Sequence, residues 1–192
     1  MKNICISGFL ISQADQKVLN NYLLGTPKEW AQKALEGMIN KAKKIILRDW
    51  FEIYRQNNPG NISSDYSVLI PEIVEMEEFK SYDMPSTENE IPERKEIANI
   101  EIWENGFTIE DWELTALQAY YKDPEQTLYD LMNNKIAKRK KAFYKQHSER
   151  MLIDVSYSTI PSHYDDMINL VVIESDYKTR AQKDAEIQAQ QI

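Results

Sequence analysis

The sequence predicts a mainly α-helical protein built as two tandem copies of a small three-helix module, each opened by a short extended piece. Three observations carry this reading. Apolar residues recur at three- and four-residue spacing over long stretches. Two of those stretches begin with the same start signal, a capping residue followed by proline and glutamate. The two halves of the chain also match one another at a nearly constant offset.

Met1 to Leu24 opens with Ile4, Ile6, Phe9 and Ile11 around Ser7-Gly8, an extended piece, followed by a helix over Ala14 to Leu24. The longest pattern then runs from Thr26 to Asn57. Thr26-Pro27-Lys28-Glu29 supplies an N-cap, a proline at the first helical position and a carboxylate three residues on, so two otherwise orphaned backbone donors gain partners. Leu35, Ile39, Ala42, Ile46, Trp50 and Ile53 share one face, and Asn57-Asn58-Pro59-Gly60 stops the helix. Gly37 inside it costs about 1 kcal/mol relative to alanine; a close helix crossing, in this chain or between subunits, would justify it, and so would simple tolerance.

A third helix is expected from Ile62-Ser63-Ser64-Asp65, with Val68, Leu69, Ile73, Met76 and Phe79 as its stripe and Pro71 kinking or cutting it. Proline, serine and acid then dominate without an apolar period, and residues 83–99 read as a linker. Beyond it come a short extended stretch over Ile97 to Trp103, a turn at Asn105-Gly106 and a helix capped near Thr108 that carries Trp112, Ala116, Leu117 and Tyr120. Asp123-Pro124-Glu125-Gln126 starts a long helix to about Leu152, using Leu128, Leu131, Met132, Ile136 and Phe143. Ser162 to Asp165 caps a helix with Met167, Ile168, Val171 and Val172 on one face, and Asp176 to Gln191 reads as an exposed polar helix. The expected organisation is module one over 1–82, linker 83–99, module two over 100–180 and a polar tail over 181–192.

At an offset of 98, Ile4, Gly8, Phe9, Ile11, Leu19 and Tyr22 meet Ile102, Gly106, Phe107, Ile109, Leu117 and Tyr120. The offset slips to 97 along the long helices, where Pro27, Ile39, Lys41, Lys43 and Lys44 meet Pro124, Ile136, Lys138, Lys140 and Lys141. It returns to 98 for Ile62, Ser64, Tyr66, Ile70 and Val74 against Ile160, Ser162, Tyr164, Ile168 and Val172. Amphipathic helices share period and composition by physics alone. Here the turn glycine, helix-starting proline and capping serine also match, in one order, which favours an internal duplication.

Composition narrows the function. The chain has 42% hydrophobic and 28% charged residues, as ordinary globular proteins do, and a net charge of −8, which disfavours coating nucleic acid with the whole surface. Cys5 is the only cysteine, so neither a disulfide framework nor a thiolate zinc site is expected. His147 and His163 stand in no metal-binding spacing, no glycine-rich phosphate loop is present, and the carboxylate pairs fall in caps and linker. No enzyme activity, metal or cofactor is expected. The first twelve residues make a poor signal peptide, and no apolar run is long enough to span a bilayer, so cytoplasmic synthesis is expected.

The candidate interaction residues are the paired basic rows on the long helices: Lys41, Lys44 and Arg48, and Lys138, Lys141 and Lys145. Each trio falls on one helical face, with Lys43, Lys140, Lys135 and Arg139 beside them. Three readings stay open. The rows are solvated faces favoured near helix C-termini, or they meet acidic protein, including the stretch Glu72 to Glu93, or they grip phosphates beside Trp50, Phe51, Phe143 and Tyr144.

Leu170-Val171-Val172-Ile173 with Asp176-Tyr177-Lys178-Thr179-Arg180-Ala181-Gln182, together with the lysine-rich helix ending in Asp49-Trp50, resembles helical virion or assembly proteins of tailed bacteriophages. The resemblance implies a structural, non-enzymatic component of an oligomeric assembly (connector, tail or capsid-associated) acting through other protein subunits, with the virion as a later location. Nucleic-acid binding through the paired lysine rows is the alternative.

Overall fold

The structure, a computed structural model, describes residues 2–4 (backbone only), 9–60, 62–86, 90–102, 106–154, 156–174 and 176–190. Cys5, Asn61, Trp103 and Asn105 lie outside these residues. The order is β1 (Lys2–Ile4), β2 (Leu10–Ile11), α1 (Gln13–Tyr22), α2 (Pro27–Asn57), α3 (Tyr66–Val74), β3 (Ile100–Glu101), β4 (Phe107–Ile109), α4 (Asp111–Tyr120), α5 (Pro124–Ile153), α6 (Tyr164–Val172) and α7 (Arg180–Ala189). The protein is mainly helical with little strand. No helix among the described residues is long and apolar enough to cross a membrane.

The chain forms two compact units that cut across the sequence halves. The first takes Met1–Ser7, Gln32–Glu88 and Asn105–Asp130; the second takes Gly8–Ala31, Asn89–Glu104 and Leu131–Ile192. In the first, β1 pairs antiparallel with β4, Lys2 opposite Ile109 and Ile4 opposite Phe107, and α3 packs against α4. Leu69, Ile70 and Ile73 of α3 are buried, as are Ala116, Leu117, Ala119 and Tyr120 of α4. In the second, β2 pairs antiparallel with β3, Leu10 opposite Glu101 and Ile11 opposite Ile100, and α1 packs on α6 and α7. Its core joins Ala14, Val18, Phe143, Met151, Met167, Ile168 and Val171.

The start of α2 follows from its capping box: the Glu29 N–H donates to Thr26 Oγ1 (3.2 Å) and the Thr26 N–H to Glu29 Oε2 (2.8 Å). Leu35, Ile39, Ala42 and Ile46 are buried as the spacing predicts. The stripe then continues at four-residue steps through half-buried Trp50 to buried Tyr54, which leaves Ile53 a turn aside and exposed. Gly37 faces open space among the described residues, since a Cβ there would meet no atom of theirs within 4 Å, and no close crossing with them explains it.

Three local expectations change. Pro71 does not divide α3, which continues past it and ends at Val74; Met76 and Phe79 lie beyond its end. The cap of α6 is His163, whose Nδ1 accepts the Asp165 N–H at 3.2 Å, rather than Ser162. Thr108 belongs to β4, and α4 begins after Glu110, whose N–H donates to Glu113 at 2.8 Å. The stretch expected as a linker is anchored at both ends. Tyr82 and Met84 donate backbone N–H groups to the carbonyls of Ala119 and Tyr120 (2.9 Å each) in the first unit, and residues 90–99 belong to the second.

Candidate interaction site

The basic rows occupy the expected helices but do not form two equivalent faces. On α2, Lys41 is exposed with its ammonium 5.5 Å from the centroid of the Tyr120 ring. Lys44 is exposed and has no ion-pair partner among the described residues. Arg48 turns onto its neighbour, with Nε 2.5 Å from Asp49 Oδ1 and Nη2 2.9 Å from Oδ2, so its charge is largely answered. The same arginine holds the Asp49 carboxyl below its ordinary value, aided by the Tyr82 hydroxyl.

Lys44 and Arg48 border an open groove of about 600 Å³ between α2 and the start of α3. Leu47, Phe51, Ile62 and Leu69 line it. An apolar floor with cations on the rim suits a peptide that carries both apolar and acidic side chains.

On α5 the lysines go three ways. Lys138 lines a cavity of about 300 Å³ with Lys135, Arg139, Tyr22 and Trp30. There the Arg139 guanidinium lies 4.5 Å from the Tyr22 ring centroid and Lys135 5.6 Å from Trp30. Burial, reinforced by Arg139, pushes the Lys135 ammonium below its usual value. Lys141 is ion-paired to Glu90. Lys145 is exposed and pairs with no described residue. The three candidate cations of α5 therefore have three different environments.

The structure adds a site that spacing on α5 could not show. Lys140 has no exposed side-chain surface, and neither has Asp15, whose Oδ1 lies 2.9 Å from Nζ. Asp165 pairs with the same ammonium, and the Glu93 carbonyl accepts from it at 2.6 Å. Arg94 Nε donates to Asp15 Oδ2 at 2.6 Å, and Asp165 Oδ2 accepts the N–H groups of Lys95 (2.6 Å) and Glu96 (3.3 Å). Burial alone would raise the Asp15 carboxyl, but Lys140 and Arg94 outweigh it and hold it below the ordinary value. Glu96 completes the anchor, taking the Ala14 N–H at 3.1 Å and the Asn169 amide at 2.7 Å. The segment 90–96, which is neither helix nor strand, is thus docked on Lys140 and Lys141 of α5 and on the first turns of α1 and α6.

Lys43, 97 residues before Lys140, has a different environment. Its ammonium lies 4.4 Å from the Tyr66 ring centroid and 5.9 Å from that of Trp112, so aromatic faces stand where Lys140 has carboxylates. Beside it Lys44, 97 before Lys141, has no acidic partner among the described residues.

Of the aromatics expected to stack on a ligand, Phe143 is fully buried core and Tyr144 donates its hydroxyl to the Pro161 carbonyl at 2.9 Å. Of the four expected, Phe51 lines the groove beside Lys44, where Tyr66 joins it. No protein family, curated protein or solved structure matches the chain.

Proposed function

We propose that this protein is a non-enzymatic structural or assembly protein, formed by duplication of one helical module, that docks an extended acidic segment of a partner protein in the groove beside Lys44. The observation that carries the reading is the segment 90–96 lying on Lys140 and Lys141, with the Glu93 carbonyl on Lys140 and the Glu90 carboxylate on Lys141: the chain itself lays a non-helical segment with an acidic side chain against this helix position. Among the described residues, the corresponding face of α2 has Lys44 without an ion-pair partner and an apolar groove without such a segment.

Matching element bounds support the duplication. Helices α1 and α4 occupy 13–22 and 111–120, and α3 and α6 occupy 66–74 and 164–172, an offset of 98 in each case. Strand pairing follows the same rule, since adding 98 to Lys2 and subtracting it from Ile109 gives Ile100 and Ile11, which pair. Reciprocal pairing of this kind is what two copies of one module would make in an isologous dimer. A bacteriophage virion as the setting rests on the sequence resemblance alone.

The test is a displayed library of ten-residue peptides of mixed Glu, Asp, Ile, Leu and Pro, selected on the intact chain and on a K44E/R48E variant. Wild-type selection should enrich acidic peptides with apolar anchors, and the variant should lose them. Enrichment that is indifferent to Lys44 and Arg48 would sink the proposal.

A second reading draws on the cavity around Lys138, where three cations and two aromatic rings meet without a lining carboxylate. That combination suits nucleic acid. It predicts salt-dependent retention of single-stranded DNA or RNA that K138E/R139E abolishes; no retention at low salt by the wild type would exclude it.

A further inference from the structure

The second unit holds another concave site, away from the basic rows. Near the C-terminal end of α5, His147 and Arg150 face Glu174, Tyr177 and Lys183 around a cavity of about 290 Å³. His147 is 9% exposed and stacks on Phe143 with ring centroids 4.3 Å apart, and its Nδ1 is buried without a hydrogen-bond partner. Arg150 Nε and the Tyr177 hydroxyl are likewise buried and unpaired. Polar atoms left in this way are uncommon in native structures and call for a cause.

The Glu174 carboxylate is neutralised by Arg150 and also accepts a hydrogen bond from the Tyr157 hydroxyl. Asp176 stands 3.9 Å from Arg150 Nη1, and Lys178 is paired with Glu186 at 2.7 Å. Lys183 has no ion-pair partner among the described residues. Lys183 therefore faces the cavity together with two unpaired donors, while the formal charges around it cancel: Arg150, Lys178 and Lys183 against Glu174, Asp176 and Glu186.

The first unit makes the point by contrast. At the positions 97 before His147 and 98 before Tyr177, it has Trp50 and Phe79, whose rings pack with centroids 5.1 Å apart. Met76 and Ile53 stand where the second unit has Glu174 and Arg150. The position carries apolar side chains in one unit, Trp50, Met76 and Phe79 half-buried and Ile53 exposed, and polar ones around an opening in the other. Packing alone would not favour His, Arg, Glu and Tyr at these four places, since buried polar groups cost free energy unless satisfied.

We propose that this cavity is a binding site for a small ligand bearing an oxyanion, a phosphate or carboxylate group held by Lys183, Arg150 Nε and the Tyr177 hydroxyl. Its size sits at the lower end of the range for small-molecule pockets. His147 would contact the ligand beside the anionic group.

The chain contains two histidines, which makes the test direct. Imidazole carbon–proton spectra of the intact protein at pH 8 and fixed ionic strength are followed during titration with inorganic phosphate and, separately, acetate. At least one probe should shift the His147 signals saturably while His163 stays still. K183Q and Y177F should each weaken that binding about tenfold, the usual scale for one hydrogen bond to a charged group, with unaltered circular dichroism. Unmoved His147 signals with both probes, parallel shifts of both histidines, or undiminished affinity in both variants would each overturn the proposal.

Discussion

Lys140 Nζ and Asp15 Oδ1 lie 2.9 Å apart with neither side chain exposed to solvent, and Asp165 shares the same ammonium. Removing the cation alone strands two buried carboxylates. K140M should therefore cost about 3–5 kcal/mol in urea unfolding, the range for breaking a buried ion pair from one side. K43M, which removes a cation from two aromatic faces, should cost no more than about 1 kcal/mol. Equal losses at the two positions would mean that Lys140 is not the hub of its unit.

Acid should weaken the fold in two stages. Burial, with help from Arg150, holds the His147 imidazole below its ordinary 6.5. The unfolded chain then binds a proton that the folded chain refuses, so stability declines as the pH falls below about 6.5 and levels off once the folded value is passed. Asp15 and Glu174 are held below their ordinary 3.8 and 4.5 against the raising effect of burial, Asp15 by Lys140 and Arg94, Glu174 by Tyr157 and Arg150. Their contribution is complete above those values and disappears at lower pH. Melting temperatures between pH 8 and 3 should show both stages, and H147F should remove the upper one. A flat wild-type profile between pH 7 and 5 would contradict the assignment to His147.

Gly37 sits exposed inside α2 with nothing among the described residues near its missing side chain. G37A should raise stability by about 1 kcal/mol, the helix-propensity difference, and shift the urea midpoint upward. A loss of stability would mean that another surface closes on this position.

The bonds after Arg94 and Lys95 are obvious trypsin sites in a linker. Here the Arg94 guanidinium, the Lys95 N–H and the Glu93 carbonyl are all engaged with the second unit. Limited trypsin digestion of the native chain should spare both bonds, and D165A should expose them by removing the acceptor of two backbone N–H groups. Early cleavage of the wild type at Arg94 would show that the segment detaches readily.

The long helices could be read closely because their punctuation is local. Thr26-Pro27 and Asp123-Pro124 fix where α2 and α5 begin within one turn of chain, and the apolar stripe does the rest. The segment 90–96 was illegible for the opposite reason. Its partners are Asp15, Lys140, Asp165 and Asn169, far away in sequence, and its own residues follow no apolar period. Lys140 was hidden among Lys138, Arg139 and Lys141, because adjacent positions on a helix point in different directions and only tertiary packing decides which one is buried. Capping failed by a residue or two at Glu110 and His163, since several polar residues there compete for the same donors. The cavity beside His147 left one trace, the replacement of Trp50 and Phe79 by His147 and Tyr177 between otherwise matching halves.

The interleaving of segments has a consequence for how the protein is made. The first unit needs residues 105–130, and the second needs everything from 131 onward. A ribosome has thus completed more than half of the chain before either unit has all its parts. During that interval α1 has emerged without α6, and α3 without α4. Their apolar faces are left to solvent or to a chaperone, so slowing translation beyond residue 100 should lengthen exposure to aggregation rather than give an early module time to fold.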